Sequence, residues 1–252
     1  MPDPSSAPRS DPPRLPSARR PQGLPAATVR SVDAAEEQAW NEQQLAVPVA
    51  ATRARIWCYP QPAVVLGRAQ HALLPALDGD RHRIVARSSG GGAVLVGPWM
   101  VGASVVLPLG HRLLPQGAIA DSYRWLGELF VEVLAHHGVR AESMPRERTW
   151  KAPAGLAWAC FAGMSPWEVV IGERKLVGFA QRRNRHGVLL VAGALVAPVP
   201  WELLCEAMRQ PAAQAAELAA VTIDASQVRH RQLPVAEFAA DAASMLAVAL
   251  AD

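Results

Sequence analysis

The chain has 252 residues, of which 50% are hydrophobic and 19% charged, a composition typical of a folded globular protein rather than a disordered one. Its net charge of +3 comes from residues 1–30, which hold five arginines and two aspartates, so the remainder is balanced and nucleic-acid binding is not expected. No apolar run is long enough to span a bilayer, and no signal-peptide core is present, so we expect a cytoplasmic protein without a membrane segment.

The chain opens with a segment that has almost no periodic apolar residues. Residues 1–28 are rich in proline, serine and arginine, which predicts a disordered tail, and residues 29–252 are predicted to form a single domain. A helix is predicted to begin at Ser31 or Asp33, either of which is a suitable N-cap, and to end at about Leu45. Its inner face is predicted to carry Ala35, Trp40 and Leu45.

The rest of the chain mixes strand and helix patterns. Apolar residues at three- and four-residue spacing predict a helix from Ile119 to Val133, and a turn at Gly172 and Glu173 predicts a hairpin. From about residue 199 the chain is alanine-rich and predicted to be helical. This order favours an α+β fold, with a mixed, largely antiparallel sheet flanked by helices. The predicted strands are residues 55–59, 63–66, 83–87, 101–107, 167–171, 175–181 and 187–196.

The most unusual local segment runs from Arg87 to Val94 and reads RSSGGGAV. Three glycines directly after a strand cost backbone entropy unless something must approach the main chain closely. Amides on such a loop can bind a carboxylate, a phosphate or an acyl carbonyl, with Arg87 as a fixed cation, whereas the alternative is a flexible connection between strands. The lysine of a Walker A loop is missing, so a P-loop nucleotide site is excluded.

A second segment, residues 160–183, combines a cysteine with a lysine in an otherwise apolar strand. Lys175 is one of only two lysines among 25 basic residues, and Gly178 has no packing value in a strand, which indicates close approach of a ligand. Taken alone, Lys175 is more often a solvated strand lysine, and Cys160 a small buried residue. The three cysteines are too far apart for a close-spaced ligand pair, so neither disulfides nor a metal site is predicted.

Together, the two segments resemble the family of lipoate–protein ligases and octanoyltransferases, relatives of biotin protein ligase. That family has a run of the form RRxSGGGAV and, about eighty residues later, a lysine followed by a glycine, an alanine and basic residues. The resemblance implies the biotin–lipoate ligase fold, which is related to the class II synthetases. The matching residues are Arg87, Ser89, Gly90, Gly91, Gly92, Ala93 and Val94, then Lys175, Gly178, Ala180, Gln181, Arg182 and Arg183.

The resemblance also implies a function, namely attachment of a lipoyl or octanoyl group to the acceptor lysine of a lipoyl domain. Such domains belong to 2-oxoacid dehydrogenases and to the glycine cleavage protein. Lys175 would be the family's essential lysine and would stabilise charge that develops on the acyl group. Residues 87–94 would line the acyl-binding site together with Gly178, Ala180 and Gln181. The protein is expected to work as a monomer.

The role of Cys160 differs between the mechanisms known within the family. Some octanoyltransferases form a cysteine thioester with an acyl group taken from acyl carrier protein, and His186 would be a candidate base for such a cysteine. The alternative is a ligase that activates lipoate with ATP and Mg²⁺, in which Cys160 is structural. A third reading is a non-catalytic acyl-binding protein, because residues 95–99 replace a histidine and an aspartate common in the family. The spacing of the cysteine group is matched by Cys160, Phe161, Ser165, Glu168 and Lys175.

Overall fold

The computed structural model describes residues 27–77, 82–115, 118–148 and 150–251. The strands of this part are β1 (Thr28–Ser31), β2 (Arg53–Cys58), β3 (Ala63–Leu66), β4 (Ile84–Ala86), β5 (Val94–Val96), β6 (Met100–Leu107), β7 (Glu142–Ser143), β8 (Val169–Ile171), β9 (Arg174–Asn184) and β10 (Gly187–Leu195). The α-helices are α1 (Ala34–Gln44), α2 (Leu74–Leu77), α3 (Arg124–His136), α4 (Trp201–Ala207), α5 (Gln214–Val221), α6 (Ala225–Arg229) and α7 (Val235–Ala251). Two 3₁₀ helices span Arg68–Leu73 and Ile119–Tyr123.

Two sheets organise the described residues. The larger has the order β1-β2-β6-β10-β9-β8-β7, in which β1 and β2 are parallel and every other neighbouring pair is antiparallel. The smaller has the order β4-β3-β5, with β3 and β4 parallel. The prediction of an α+β fold with a mixed, largely antiparallel sheet is confirmed. The hairpin predicted at Gly172 and Glu173 is the connection between β8 and β9.

The larger sheet separates two hydrophobic clusters. Ile56 and Trp57 are adjacent in β2 and belong to different clusters, as expected when successive side chains point to opposite faces. The first cluster packs α3 and α7 on the sheet through residues such as Phe130 and Phe238. The second joins the sheet to β3, β5, α4 and α5. The candidate site described below lies beside this second cluster.

The beginning of the described chain corrects the prediction for the first helix. Asp33 is the N-cap, as predicted, and its Oδ1 accepts a hydrogen bond from the amide of Glu36 at 2.9 Å. Of the predicted inner face, Leu45 is buried and Trp40 packs against the core, but Ala35 is exposed, and the buried stripe is largely polar. Hydrogen bonds offset part of the cost of this burial, since Nδ2 of Asn41 donates to Glu37 and Nε2 of Gln44 to the carbonyl of Trp40. Oδ1 of Asn41 and Oε1 of Gln44 have no partner among the described residues. The buried residues of α1 are Ala34, Glu37, Asn41 and Gln44.

Several strand and helix bounds also differ from the predictions. Thr28 already belongs to β1, while residues 1–26 of the predicted tail lie outside the described residues. Trp167 was predicted to begin a strand, but its φ of 71° is left-handed and β8 starts only at Val169. The first turn of the helix predicted from Ile119 is a 3₁₀ helix. The three-residue strand β5 was not predicted.

A short backbone contact connects β9 to the helical C-terminal part. Lys175 and Thr222 form an isolated parallel bridge, and the amide of Ile223 donates to the carbonyl of Lys175 at 3.0 Å. The strand that carries Lys175 is therefore braced from the segment between α5 and α6. Among the helices that the structure describes, none combines the length and the apolar character of a membrane span.

Candidate active site

The glycine loop, residues 87–92, lies between β4 and β5 and is held by the guanidinium of Arg87. Its Nε and Nη2 donate to the carbonyl of Gly90 at 3.2 and 3.0 Å, and Nη2 also donates to the carbonyl of Gly92 at 2.8 Å. The sequence suggested Arg87 as a cation for a ligand, but these three hydrogen bonds go to the loop itself. The side chain therefore fixes the path of the backbone.

The three glycines of the loop have unpaired amides, and Gly91 lies next to the thiol of Cys160. Within the described residues, no hydrogen bond uses the amide of Gly90, Gly91 or Gly92 as its donor. Gly91 has a φ of +93°, and a Cβ there would lie 3.2 Å from Sγ of Cys160 and 2.8 Å from Nη2 of Arg87. Free amides in such a position can stabilise negative charge that develops on an oxygen of a substrate that reacts with the thiol.

Backbone hydrogen bonds fix Cys160 to the start of β5. The amide of Cys160 donates to the carbonyl of Ala93 at 2.9 Å, and the amide of Ala93 donates to the carbonyl of Trp158 at 2.8 Å. A Cβ on Gly92 would approach that Trp158 carbonyl to 2.3 Å, so only glycine allows this close contact. Cys160 is half-buried, and the two segments singled out in the sequence meet at its backbone.

Lys175 is buried at the start of β9, with 1% of its surface exposed, and its ammonium has three acceptors. Nζ donates to the carbonyls of Cys160 and Gly163, both at 3.0 Å, and lies 2.7 Å from Oε1 of Glu168. It also lies 5.1 Å from the centre of the Phe161 ring. The lysine therefore holds the segment that carries the thiol, and its charge lies close to Cys160.

Glu168 forms a buried ion pair with Lys175. Its Oε2 accepts from the amide of Ser165 at 2.7 Å, and its Oε1 accepts from the amide of Phe179 at 3.0 Å. Its side chain is 3% exposed. Two amides and one ammonium satisfy the carboxylate, which is the condition under which a buried charge is tolerated.

Two pockets meet at Cys160. The first, the narrow pocket, has a cavity volume of about 50 Å³ and is lined mainly by apolar residues that include Val94, Met100 and Phe179. The second, the wide pocket, has a volume of about 470 Å³ and is lined by the loop glycines, Lys175 and other polar residues. Cys160, Phe179 and Ala180 line both. The thiol of Cys160 therefore lies where a mainly apolar pocket meets a more polar one.

A buried carboxyl also lines the narrow pocket. Glu37 accepts from the hydroxyl of Tyr59 at 2.8 Å and from Nδ2 of Asn41 at 3.2 Å. Burial raises the pKa of Glu37 above its ordinary value, against the lowering effect of these hydrogen bonds. Gly102 leaves space for Tyr59, because a Cβ there would lie 2.3 Å from the hydroxyl oxygen. The lining of the narrow pocket, although mainly apolar, thus includes the hydrogen-bonded pair of Glu37 and Tyr59.

The remaining predicted residues are divided between the pockets and the protein surface. Gln181 lines the wide pocket, and its buried Oε1 has no hydrogen-bond partner among the described residues, while its Nε2 donates to the carbonyl of Ile119. Gly178 lines the narrow pocket, and Ser89 is buried with its carbonyl accepting from Arg68. His186 lies apart, with its ring at hydrogen-bond distance from the Leu45 carbonyl and from Arg185, and it lines neither pocket.

Sequence reasoning missed the pair of Glu37 and Tyr59. A signal was present, because Glu37, Asn41 and Gln44 recur at helical spacing on one face of α1. A stripe of polar residues on a helix normally indicates a solvent-facing side, so the pattern alone did not point to a buried site. Tyr123, which lines the wide pocket, was also not singled out as a site residue; burial and the nearby charge of Glu168 raise its pKa.

Comparison with known proteins identifies the family. The lipoyl protein ligase A/B catalytic domain matches residues 33–239. The chain belongs to this family. It is thus an enzyme of the octanoyltransferase and lipoate–protein ligase group, which confirms the resemblance seen in the glycine loop and in the strand of Lys175.

Relatives of this family member include octanoyltransferases. Octanoyltransferase LipM of Kyrpidia tusciae is 31% identical over 196 residues, which cover 74% of this chain and 69% of that protein. An octanoyl-[GcvH]:protein N-octanoyltransferase of Geobacillus kaustophilus is 30% identical over 141 residues, 53% of this chain and 44% of that protein. Protein Ta0514 of T. acidophilum, solved with bound lipoic acid, shares the fold, with a TM-score of 0.64 at 15% identity over 90% of this chain and 85% of that one.

Proposed function

We propose that the protein transfers an octanoyl or lipoyl group to the acceptor lysine of a lipoyl domain, through a thioester on Cys160. One observation carries the proposal: Sγ of Cys160 lies beside Gly91 of the glycine loop, whose amides are unpaired among the described residues, where the narrow and wide pockets meet. The names of the LipM and octanoyl-[GcvH] relatives support both the acyl group and the class of acceptor.

Two group transfers make up the proposed reaction. In the first, the sulfur of Cys160 attacks the thioester carbonyl of an acyl carrier protein, so a new S–C bond forms and the carrier leaves as a thiol with the proton that Cys160 gave up. In the second, the acceptor ε-amine attacks the same carbon, a C–N bond forms, and the C–S bond breaks. The proton lost by the amine returns to the sulfur of Cys160.

Each transfer passes through a tetrahedral intermediate with negative charge on the former carbonyl oxygen. The amides of Gly91 and Gly92 have no acceptor among the described residues and are available to donate to this oxygen. Lys175 contributes as well, because its ammonium orients the Cys160 carbonyl and adds a positive charge near this residue. Donors fixed before the reaction begins stabilise such charge more effectively than water does.

The wide pocket favours this route over ATP-dependent ligation. Mg²⁺, which would accompany ATP, prefers carboxylate oxygens. Among the described residues that line the wide pocket, Glu168 is the only carboxylate, and Lys175 and two amides already occupy its oxygens. The donor groups of this pocket therefore do not fit Mg²⁺, whereas thioester transfer requires none.

Intact-mass spectrometry tests the proposal. The wild-type protein, Cys160→Ala and the control Cys58→Ala are each incubated with octanoyl–acyl carrier protein, and separately with octanoate, ATP and Mg²⁺, before a lipoyl domain is added. Cys58 is a suitable control because it is also half-buried but lies in β2 and lines neither pocket. We expect one octanoyl adduct on the wild type and on Cys58→Ala, its absence from Cys160→Ala, and its passage to the lipoyl domain.

Other outcomes would replace the proposal. Modification of the lipoyl domain only in the ATP reaction, at the same rate in Cys160→Ala, would establish a ligase in which Cys160 is structural. No modification under either condition, together with saturable octanoate binding, would establish a non-catalytic acyl-binding protein.

A further inference from the structure

A second group of polar side chains lies apart from the acyl site, where the end of α3 meets α7. His137 caps the C-terminal end of α3, and Glu237 and Asp241 lie one turn apart on α7. One ligand atom from each of these three residues lies within 4.8 Å of the others. Nε2 of His136 also lies 3.8 Å from Oδ2 of Asp241. None of the four residues lines the narrow or the wide pocket.

The buried imidazole of His137, in addition to the clustering of these side chains, indicates a ligand. The residue is 5% exposed, and its buried Nε2 has no hydrogen-bond partner among the described residues. Oδ2 of Asp241 is 3.2 Å away, but the contact lacks hydrogen-bond geometry. An unpaired buried nitrogen is costly, and a cation placed between it and the carboxylates would satisfy all of these groups at once.

Packing fixes the imidazole in this orientation. The ring of His137 lies 5.4 Å from the ring of Phe238 and 5.4 Å from that of His136, which meets it edge-on. The position of His137 is thus set by the core of the protein rather than by a flexible surface. A metal ligand that is already oriented loses little entropy on binding.

The local charges favour a cation. Two carboxylates face the imidazole from α7, while His136 of α3 and Arg229 of α6 are the groups that oppose a positive charge on His137. The C-terminal end of α3 adds the negative end of its helix dipole. Imidazole together with carboxylate is a donor set that suits Zn²⁺ and neighbouring transition metals better than Mg²⁺ or Ca²⁺.

We propose that His137, Glu237 and Asp241 bind one divalent transition-metal ion, with His136 as a fourth donor. The ion would join the end of α3 to the first turns of α7 and would stabilise the packing of these helices on the sheet. Its role is structural, since the site lies apart from Cys160 and Lys175.

Metal titration of the full chain tests this proposal. The protein is freed of metal with a chelator and titrated with Zn²⁺ by calorimetry, and with Co²⁺ by absorption spectroscopy. We expect one equivalent to bind, a rise in Tm, and a Co²⁺ spectrum without thiolate charge-transfer bands. Asp241→Asn and Glu237→Gln should each weaken binding at least about tenfold, while Glu128→Gln, an exposed carboxylate on α3, should leave it unchanged.

A parallel titration of Cys160→Ala separates this site from binding by thiols. Retention of the Zn²⁺ affinity in Cys160→Ala, with its loss in Asp241→Asn, supports the proposal. Loss in Cys160→Ala, or equal affinity in the wild type, Asp241→Asn and Glu237→Gln, overturns it. Circular dichroism of each metal-free variant shows whether it is folded, and the two isosteric carboxylate variants provide independent tests.

Discussion

Replacing Lys175 by methionine tests how the buried ion pair contributes to folding as well as to transfer. Methionine keeps most of the length and the apolar stem of lysine but removes the ammonium. Glu168 is then left as a buried carboxylate without its cation, and the carbonyls of Cys160 and Gly163 lose their common donor. Both effects lower the free energy of unfolding.

The contacts of Glu168 indicate how much the free energy of unfolding falls in Lys175→Met. Breaking a buried ion pair costs about 3–5 kcal/mol, and the two backbone amides that remain on Glu168 favour the lower end, about 3 kcal/mol. For a domain of this size such a loss lowers Tm by roughly 6–12 °C. In the double variant Lys175→Met with Glu168→Gln the unpaired charge is gone, so the two carbonyls and one of the two backbone amides that Glu168 accepts from remain unsatisfied, at about 1 kcal/mol each.

A double-mutant cycle measures the coupling between the two side chains. Urea unfolding of the wild type, of Lys175→Met, of Glu168→Gln and of the double variant should give a coupling energy of about 2 kcal/mol or more, with the double variant more stable than the sum of the single changes predicts. Octanoyl transfer should be lost in each variant that lacks the lysine. Additive changes in stability would refute the account of a coupled buried pair.

Two further substitutions separate the site from the rest of the fold. Gly178→Ala places a Cβ 2.8 Å from Cε of Lys175, so the ammonium must move within its buried ion pair; transfer should fall by about 100-fold, and Tm should fall as well. Gly138→Ala, whose φ is +76°, should also lower stability, by about 1 kcal/mol, but leave the transfer rate intact. For Glu37, burial raises the pKa, so the folded state binds the proton more tightly and wild-type stability falls as pH rises through the folded pKa. Urea unfolding at a series of pH values above 4.5, the ordinary value for a glutamate, should show this fall in the wild type and not in Glu37→Gln, and an identical pH dependence would show that Glu37 is not the group responsible.

The fold could be predicted from the sequence where one periodicity dominated. The hairpin of β8 and β9 and the helix α3 have clear patterns, and Asp33 is a typical N-cap. β5 could not be predicted because its three residues are too short to show alternation. Trp167 looked like a strand residue by composition, but its left-handed backbone is determined by tertiary contacts with Ser143 and Met144.

The two segments of the candidate site could also be predicted, but not the bonds between them. The glycines and Lys175 are unusual for their local patterns, and that made them visible in the sequence. That Arg87 bonds its own loop, or that Lys175 donates to the carbonyl of Cys160, depends on hydrogen bonds between segments far apart in the chain. The role first considered for His186 failed for the same reason, since its position is set by the carbonyl of Leu45.

Through the bridge between Lys175 and Thr222, the C-terminal helical part of the chain stabilises the strand that carries Lys175. The amide of Ile223 is the donor for the carbonyl of Lys175, so its hydrogen exchange with solvent reports on the opening of the strand that holds the ammonium. The exchange rate of this one amide proton, far in sequence from Cys160, therefore measures how stably the segment that carries the thiol is held.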